Sequence, residues 1–136
     1  MPAWEIPDTA APYLQPLHQA EARYGIPHGL LVRVAYQESH FRPDIISGKV
    51  KSSAGAIGIM QLVPKWHPDV NPYNPIESID YAGRYLKHLH DRFGSWHLAL
   101  AAYNWGPGNL AKHGLKQAPQ ETQNYIAQIT KDTGVT

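Results

Sequence analysis

Cysteine is absent from this chain of 136 residues. Neither a disulfide framework nor a thiolate metal site is therefore possible. The length fits one domain that buries its own hydrophobic core. We expect an extended, proline-rich N-terminal arm at residues 1–11, followed by a single globular domain over residues 12–136.

An excess of charge of one sign is also missing, and so are long apolar runs. Twelve Lys and Arg residues face eleven Asp and Glu residues, for a formal net charge of +1. This balance argues against a nucleic-acid partner. No apolar stretch approaches the ~20 residues of a membrane-spanning helix, so we expect no membrane insertion. The first residues also lack the basic and apolar regions of a signal peptide.

Several chemical motifs are missing as well. No His-Glu-x-x-His occurs, and His88 and His90 are two apart, so they do not share a helix face. No Gly-x-Ser-x-Gly elbow marks a nucleophilic serine, and no Gly-Lys-Ser/Thr ending marks a phosphate loop. We expect no metal and no cofactor.

Apolar spacing and helix-end signals predict a mainly α domain of six or seven helices around a substrate cleft, with little or no β structure. Residues 42–58, rich in Gly, Ser and Pro, are expected to form an ordered loop with a short hairpin, followed by one or two helical turns near 56–64. The helices are predicted at about 12–24, 27–39, 75–93, 95–105, 108–113 and 119–130.

A carboxylate lies on an apolar helix stripe. Leu30, Leu31, Val34, Ala35 and Glu38 share one face of the second helix. Burial and the negative end of the helix dipole would both raise the pKa of Glu38, as a general acid requires. The alternative is an ordinary Glu that turns back into solvent.

Two further segments carry groups suited to a sugar. In "GAIGIMQL", residues 55–62, glycines permit close backbone approach and Gln61 offers both a donor and an acceptor. In "ALAAYNW", residues 99–105, a core-facing Tyr103 needs a partner for its hydroxyl, and a carboxyl from another helix is a candidate. Each segment alone could be a tight turn or ordinary aromatic core.

Taken together, the chain resembles the lytic transglycosylase family, the murein-cleaving enzymes related to goose-type lysozyme. The matching stretches follow the order of that family and cover most of residues 12–130. They are "QESHFRPD" (37–44), "SSAGAIGIMQLVP" (52–64), "YAGRYLKHL" (81–89), "HLALAAYNWGPGNL" (97–110) and "PQETQNYI" (119–126).

The resemblance implies a lysozyme-like fold and a set of site residues. Glu38 would be the sole catalytic carboxylate, with Tyr103 placed against it. The implied substrate-binding residues are Ser52 (preferred over Ser53), Gly58, Met60, Gln61, Asn104 and Tyr125.

The implied reaction is cleavage of the β-1,4 bond between N-acetylmuramic acid and N-acetylglucosamine. Glycosidases normally use two carboxylates. The resemblance implies that one suffices here, with the 6-hydroxyl of the muramic acid attacking its own C1 to give a 1,6-anhydromuramyl end without consuming water.

Three alternatives stay open at this point. A hydrolysing muramidase would need a second carboxylate near Glu38, and Asp44 is the only close one in sequence. A non-catalytic peptidoglycan-binding module and a helical interaction module are the others.

The expected partner is the glycan strand of peptidoglycan, with the chain acting as a monomer. A starting Met and no signal peptide favour a phage virion enzyme. The alternative is export by a specialised secretion apparatus, so virion or secretion-apparatus components are further candidate partners.

Overall fold

The structure is a computed structural model that describes residues 4–136. Within them lie seven α-helices and two single 3₁₀ turns, and the only β pairing is an isolated antiparallel bridge between Ile57 and Leu62. The predicted helical fold with little β structure is confirmed. The helices are α1 (Ala11–Tyr24), α2 (Leu30–Ser39), α3 (Pro43–Ile46), α4 (Pro75–Phe93), α5 (Trp96–Trp105), α6 (Pro107–His113) and α7 (Gln120–Thr133).

Helix α5 forms the centre of the core. Four consecutive residues of this helix, Ala-Leu-Ala-Ala at positions 99–102, are fully buried. It packs against α4 on one side and α7 on another, while α2 packs against α1 and α7. The small alanines let neighbouring helices approach closely, and this arrangement brings the C-terminal end of α2 to α7.

Local signals explain the bounds of α4, which match the predicted 75–93. The Asn74 side chain accepts a hydrogen bond from the Glu77 backbone N–H at 3.1 Å, and Pro75 occupies the first turn. Gly94 ends the helix in the left-handed conformation at φ 89°. No helix within residues 4–136 is both long and apolar enough to cross a membrane.

Helix α2 begins at Leu30, three residues later than the predicted Pro27. A buried carboxylate defines this start. Glu21 is 2% exposed and accepts backbone N–H bonds from Gly29 and Leu31, both at 2.9 Å. Its oxygens therefore satisfy donors that a helix start leaves unpaired.

The extended arm expected over residues 1–11 is wrong for residues 8–11. Residues 1–3 lie outside the described part of the chain, Asp8–Ala10 form a 3₁₀ turn, and α1 starts at Ala11. Trp4 packs on the Tyr36 ring, with ring centroids 5.3 Å apart. The start of the described chain is thus anchored on α2.

The loop between α2 and α4 also differs from the prediction. No hairpin forms over residues 42–58; α3 takes up four of them instead. Residues 56–64 are not helical. Ile57 and Leu62 exchange backbone hydrogen bonds of 3.0 and 3.1 Å, and the four residues between them form a tight loop that faces α5.

Candidate active site

Glu38 lies in the last turn of α2, partly buried, below the fully buried stripe of Leu30, Leu31, Val34 and Ala35. The chain reverses immediately afterwards. His40 and Phe41 both adopt the left-handed conformation, with φ of 53° and 54°, which is unfavourable for side chains with a Cβ. The buried Phe41 ring holds this turn in place, so the position of Glu38 is well defined.

The Tyr125 hydroxyl on α7 donates a hydrogen bond of 2.7 Å to Oε2 of Glu38. Burial raises the pKa of Glu38 to about 7, the Tyr125 hydrogen bond lowers it in part, and the charge of Glu121 raises it further. Near neutral pH a substantial fraction of the side chain is therefore the protonated carboxylic acid. This is the property expected of a general acid.

The hydrogen bond expected between Tyr103 and a carboxyl group is wrong in this structure. The Tyr103 hydroxyl donates instead to the Met60 carbonyl oxygen at 2.9 Å. Helix α5 faces the 57–62 loop, so the hydroxyl meets that loop first, whereas α7 reaches Glu38. Tyr103 is still close to Glu38: burial, and then the charge of Glu38, raise the Tyr103 pKa well above its ordinary value.

The 57–62 loop is built around two left-handed residues, Gly58 at φ 82° and Gln61 at φ 53°. The Gln61 side-chain amide donates to the Gly58 carbonyl at 2.9 Å. Met60 is fully buried, so it offers its backbone carbonyl to Tyr103 while its side chain lies in the core. The Tyr103 hydroxyl thus connects α5 to the 57–62 loop.

Replacing Gly58 with Ala is expected to lower the free energy of unfolding by at least about 2 kcal/mol, as left-handed strain and overpacking act together. A Cβ on Gly58 would lie 2.1 Å from the Pro72 carbonyl oxygen. Urea denaturation of the variant would measure the loss.

Gly55 provides the matched control for this substitution. Its φ of 84° is nearly the same, but nothing lies within 4 Å of its Cβ position. Gly55→Ala should therefore show the backbone strain without the clash. Equal losses in the two variants would contradict close packing of the loop on Pro72.

A cleft of about 570 Å³ opens at Glu38 between α2, α5 and α7. Glu38, Glu121 and Tyr125 line it together with five amide side chains, which can both donate and accept hydrogen bonds. Such a lining suits a neutral, hydroxyl-rich ligand. The five amides are Gln37, Asn104, Gln120, Asn124 and Gln128.

Three of these amides are held by hydrogen bonds between helices. The Thr122 hydroxyl donates to the side-chain oxygen of Asn104 at 2.8 Å. The Gln37 amide donates to the side-chain oxygen of Gln128 at 3.0 Å. The bonds link α5 and α2 to α7, so the cleft walls are preorganised.

Three of the expected site residues, Glu38, Asn104 and Tyr125, line this cleft. Ser52 is not among the residues that line this cleft; it is exposed, and its hydroxyl oxygen accepts the Ala56 backbone N–H at 2.9 Å. Asp44, the second carboxylate that hydrolysis was expected to use, does not line the cleft either. It pairs with Arg42 at 2.7 Å, which lowers the Asp44 pKa.

Residues 15–126 match the family model described as the transglycosylase SLT domain. The chain belongs to this family. The resemblance to lytic transglycosylases is thereby confirmed.

Among curated relatives, the SLT domain is 34% identical over 108 residues to membrane-bound lytic murein transglycosylase F 2 of Alkalilimnicola ehrlichii, covering 72% of this chain and 23% of that protein. It is 32% identical over 116 residues to a transglycosylase of Enterobacteria phage PRD1, covering 83% of this chain and 40% of that protein. The chain thus spans well under half the length of these relatives.

Two solved structures share the fold of this SLT domain. An inactive Glu-to-Gln mutant of lytic transglycosylase Slt from Pseudomonas aeruginosa superposes with a TM-score of 0.71 at 24% identity, over 89% of this chain and 23% of that one. The 70 kDa soluble lytic transglycosylase SLT70 from Escherichia coli gives a TM-score of 0.70 at 24% identity, over the same shares.

The cleft of the SLT domain also contains residues that sequence reasoning missed. Gln120, Glu121, Asn124 and Gln128 all come from α7. The spacing of the sequence could have grouped them with Tyr125, because positions 120, 121, 124, 125 and 128 lie on one helix face. They were missed because a polar helix face is ordinarily interpreted as exposed to solvent.

Proposed function

We propose that this SLT domain is a peptidoglycan lytic transglycosylase that cleaves between N-acetylmuramic acid and N-acetylglucosamine to leave a 1,6-anhydromuramyl end. The observation that carries the proposal is Glu38 itself: burial raises its pKa to about 7, one tyrosine donates a hydrogen bond to it, and it lines a cleft rich in amide side chains. The murein-specific names of relatives support the substrate class.

In the first step, the protonated Glu38 donates its proton to the glycosidic oxygen. The bond from C1 of the muramic acid to that oxygen breaks, and N-acetylglucosamine leaves with a free 4-hydroxyl. Positive charge develops at C1 in this step. The Tyr125 hydroxyl stabilises the Glu38 carboxylate through its hydrogen bond to Oε2.

In the second step, the Glu38 carboxylate takes the proton of the 6-hydroxyl of the same muramic acid, and the bond from O6 to C1 forms. The carboxyl group is protonated again, so the catalytic cycle closes without water. Because the attacking oxygen belongs to the substrate, its effective concentration at C1 is high. The cleft amides would hold the sugar in the conformation that brings O6 to C1.

Hydrolysis is the second candidate, and Glu121 is the observation that favours it. This residue lines the same cleft, and its charge acts on Glu38. An ionised Glu121 could serve as the base that activates a water molecule. In a hydrolytic reaction the second carboxylate would be Glu121, which lines the cleft, rather than Asp44, which does not.

Mass spectrometry of the products from purified murein sacculi distinguishes the two reactions. We expect muropeptide ends that are one water lighter than hydrolysed ends and that resist borohydride reduction. Reducing, fully hydrated ends would contradict transglycosylation and support hydrolysis. A sample digested by a hydrolytic lysozyme is the reference for hydrated ends.

The glycan strand of peptidoglycan is accordingly the proposed partner, bound by a monomer. The relative from phage PRD1 supports an origin in a phage that breaches the cell wall. Export by a specialised secretion apparatus is the alternative, since bacterial relatives match the chain equally well.

A further inference from the structure

Three side chains with metal-binding atoms meet where α1 passes the turn before α2. They are His18 and Glu21 on α1 and His28 in the turn. The His18 Nδ1 lies 2.8 Å from Glu21 Oε1, and the His28 Nδ1 lies 3.8 Å from the same oxygen. All three ligand atoms are within 4.8 Å of one another.

These separations fit a small divalent ion. Metal–ligand bonds of about 2.0–2.2 Å place neighbouring ligand atoms about 3–3.5 Å apart. The His18 distance to Oε1 is slightly below that range and the His28 distance is slightly above it. The ligand atoms as a set are bounded only at 4.8 Å, so the two histidine nitrogens must come closer together to bind one ion.

The carboxylate of this cluster is already fixed. Glu21 is 2% exposed, and backbone N–H groups of Gly29 and Leu31 donate to Oε1 and Oε2 at 2.9 Å. Outer hydrogen bonds of this kind orient a metal-binding carboxylate and raise its affinity. Each oxygen has two acceptor positions, so Oε1 can bind an ion while it keeps the Gly29 bond.

The two histidines are accessible. Their rings stack with centroids 4.3 Å apart and planes 9° apart, so one ring must rotate before both nitrogens face a common ion. His28 is the ring that can rotate, because its side chain is 84% exposed and lies in a turn. His18 is 37% exposed and stays near Oε1.

We propose that His18, Glu21 and His28 form a surface site for a divalent transition-metal ion such as Zn²⁺. Two imidazole nitrogens and one carboxylate oxygen suit Zn²⁺, Ni²⁺ or Cu²⁺, whereas Mg²⁺ and Ca²⁺ prefer oxygen ligands. The ion would take the place of the His18 Nδ1–Oε1 hydrogen bond, with the neutral imidazole keeping its proton on Nε2. Water completes the coordination shell on the exposed side.

The bound ion would link α1 to the start of α2, the helix that carries Glu38 in its last turn. Because the ion binds the folded chain, it would raise the melting temperature. The site does not depend on the proposed murein activity. Sequence reasoning missed it because the third ligand comes from outside the helix and forms no familiar motif.

Calorimetric titration of tag-free, chelator-treated protein with ZnCl₂ tests the site. We expect one equivalent of Zn²⁺ bound with micromolar affinity and a melting temperature raised by several degrees, with no response to MgCl₂. His28→Ala should weaken binding at least about tenfold and abolish the thermal shift. His18→Ala should do the same.

His88→Ala is the matched control, because His88 is exposed on α4 and belongs to no such cluster. It should bind Zn²⁺ as the unaltered protein does. Circular dichroism verifies the fold of each variant. The proposal is overturned if the unaltered protein gives no heat of binding, or if His28→Ala binds as tightly as His88→Ala.

Discussion

Glu38→Gln lowers murein lysis by at least about 10²-fold, and toward 10⁴-fold, the range that a general acid contributes. The amide keeps the size and burial of the side chain but has no acidic proton to give to the glycosidic oxygen. It also cannot take the proton of the 6-hydroxyl. The rate of turbidity loss of a sacculus suspension at neutral pH would measure the effect.

The same variant separates catalysis from binding. Glu38→Gln should still sediment with sacculi, since the five cleft amides are unchanged. Glu5→Gln, at an exposed position of the N-terminal segment, is the control and should lyse at the normal rate. Full lysis by Glu38→Gln would remove Glu38 from the mechanism, and loss of lysis in both variants would point to a general effect of the substitution.

Tyr125→Phe is expected to reduce the maximal rate by about 10–100-fold, because a hydrogen bond to a charged group contributes about 1.5–3 kcal/mol. The hydroxyl donates to Glu38 and lowers its pKa, so its removal raises the pKa above about 7. A general acid acts in its protonated form, and activity falls as pH rises through the pKa. The falling limb of the pH–rate profile should therefore move to higher pH by about one unit.

Tyr103→Phe is the matched control for this prediction. Its hydroxyl is bonded to the Met60 carbonyl and donates no hydrogen bond to Glu38. The variant should loosen the 57–62 loop, yet it should not move the falling limb upward as Tyr125→Phe does. If only Tyr103→Phe shifted the limb in this way, the role assigned to Tyr125 would be wrong and the original expectation for Tyr103 would return.

Much of the fold could be predicted because its signals are local. Asn74, Pro75 and Gly94 define α4 through capping and backbone conformation alone. The start of α2 could not be predicted in this way, since Glu21, eight or more residues earlier, accepts the N–H groups that begin that helix. A buried side-chain cap of this kind depends on tertiary packing.

The site residues also divide into those that local spacing reveals and those that depend on tertiary packing. Glu38 could be found from the apolar stripe of a single helix, and its raised pKa follows from that burial. Which tyrosine contacts it depends on whether α5 or α7 reaches the end of α2, and helical spacing carries no such information. The polar face of α7 was missed for the same reason, because only packing turns Glu121 and its neighbours into a cleft wall.

The pKa of Glu38 is the quantity on which the mechanism depends most directly. It can be measured by NMR, following the side-chain carboxyl carbon of ¹³C-labelled glutamate through a pH titration, with the Glu38→Gln variant to assign the signal. We expect a midpoint of about 7. A midpoint near the ordinary value of 4.5 would contradict it, because Glu38 would then be ionised at neutral pH and could not serve as the proton donor.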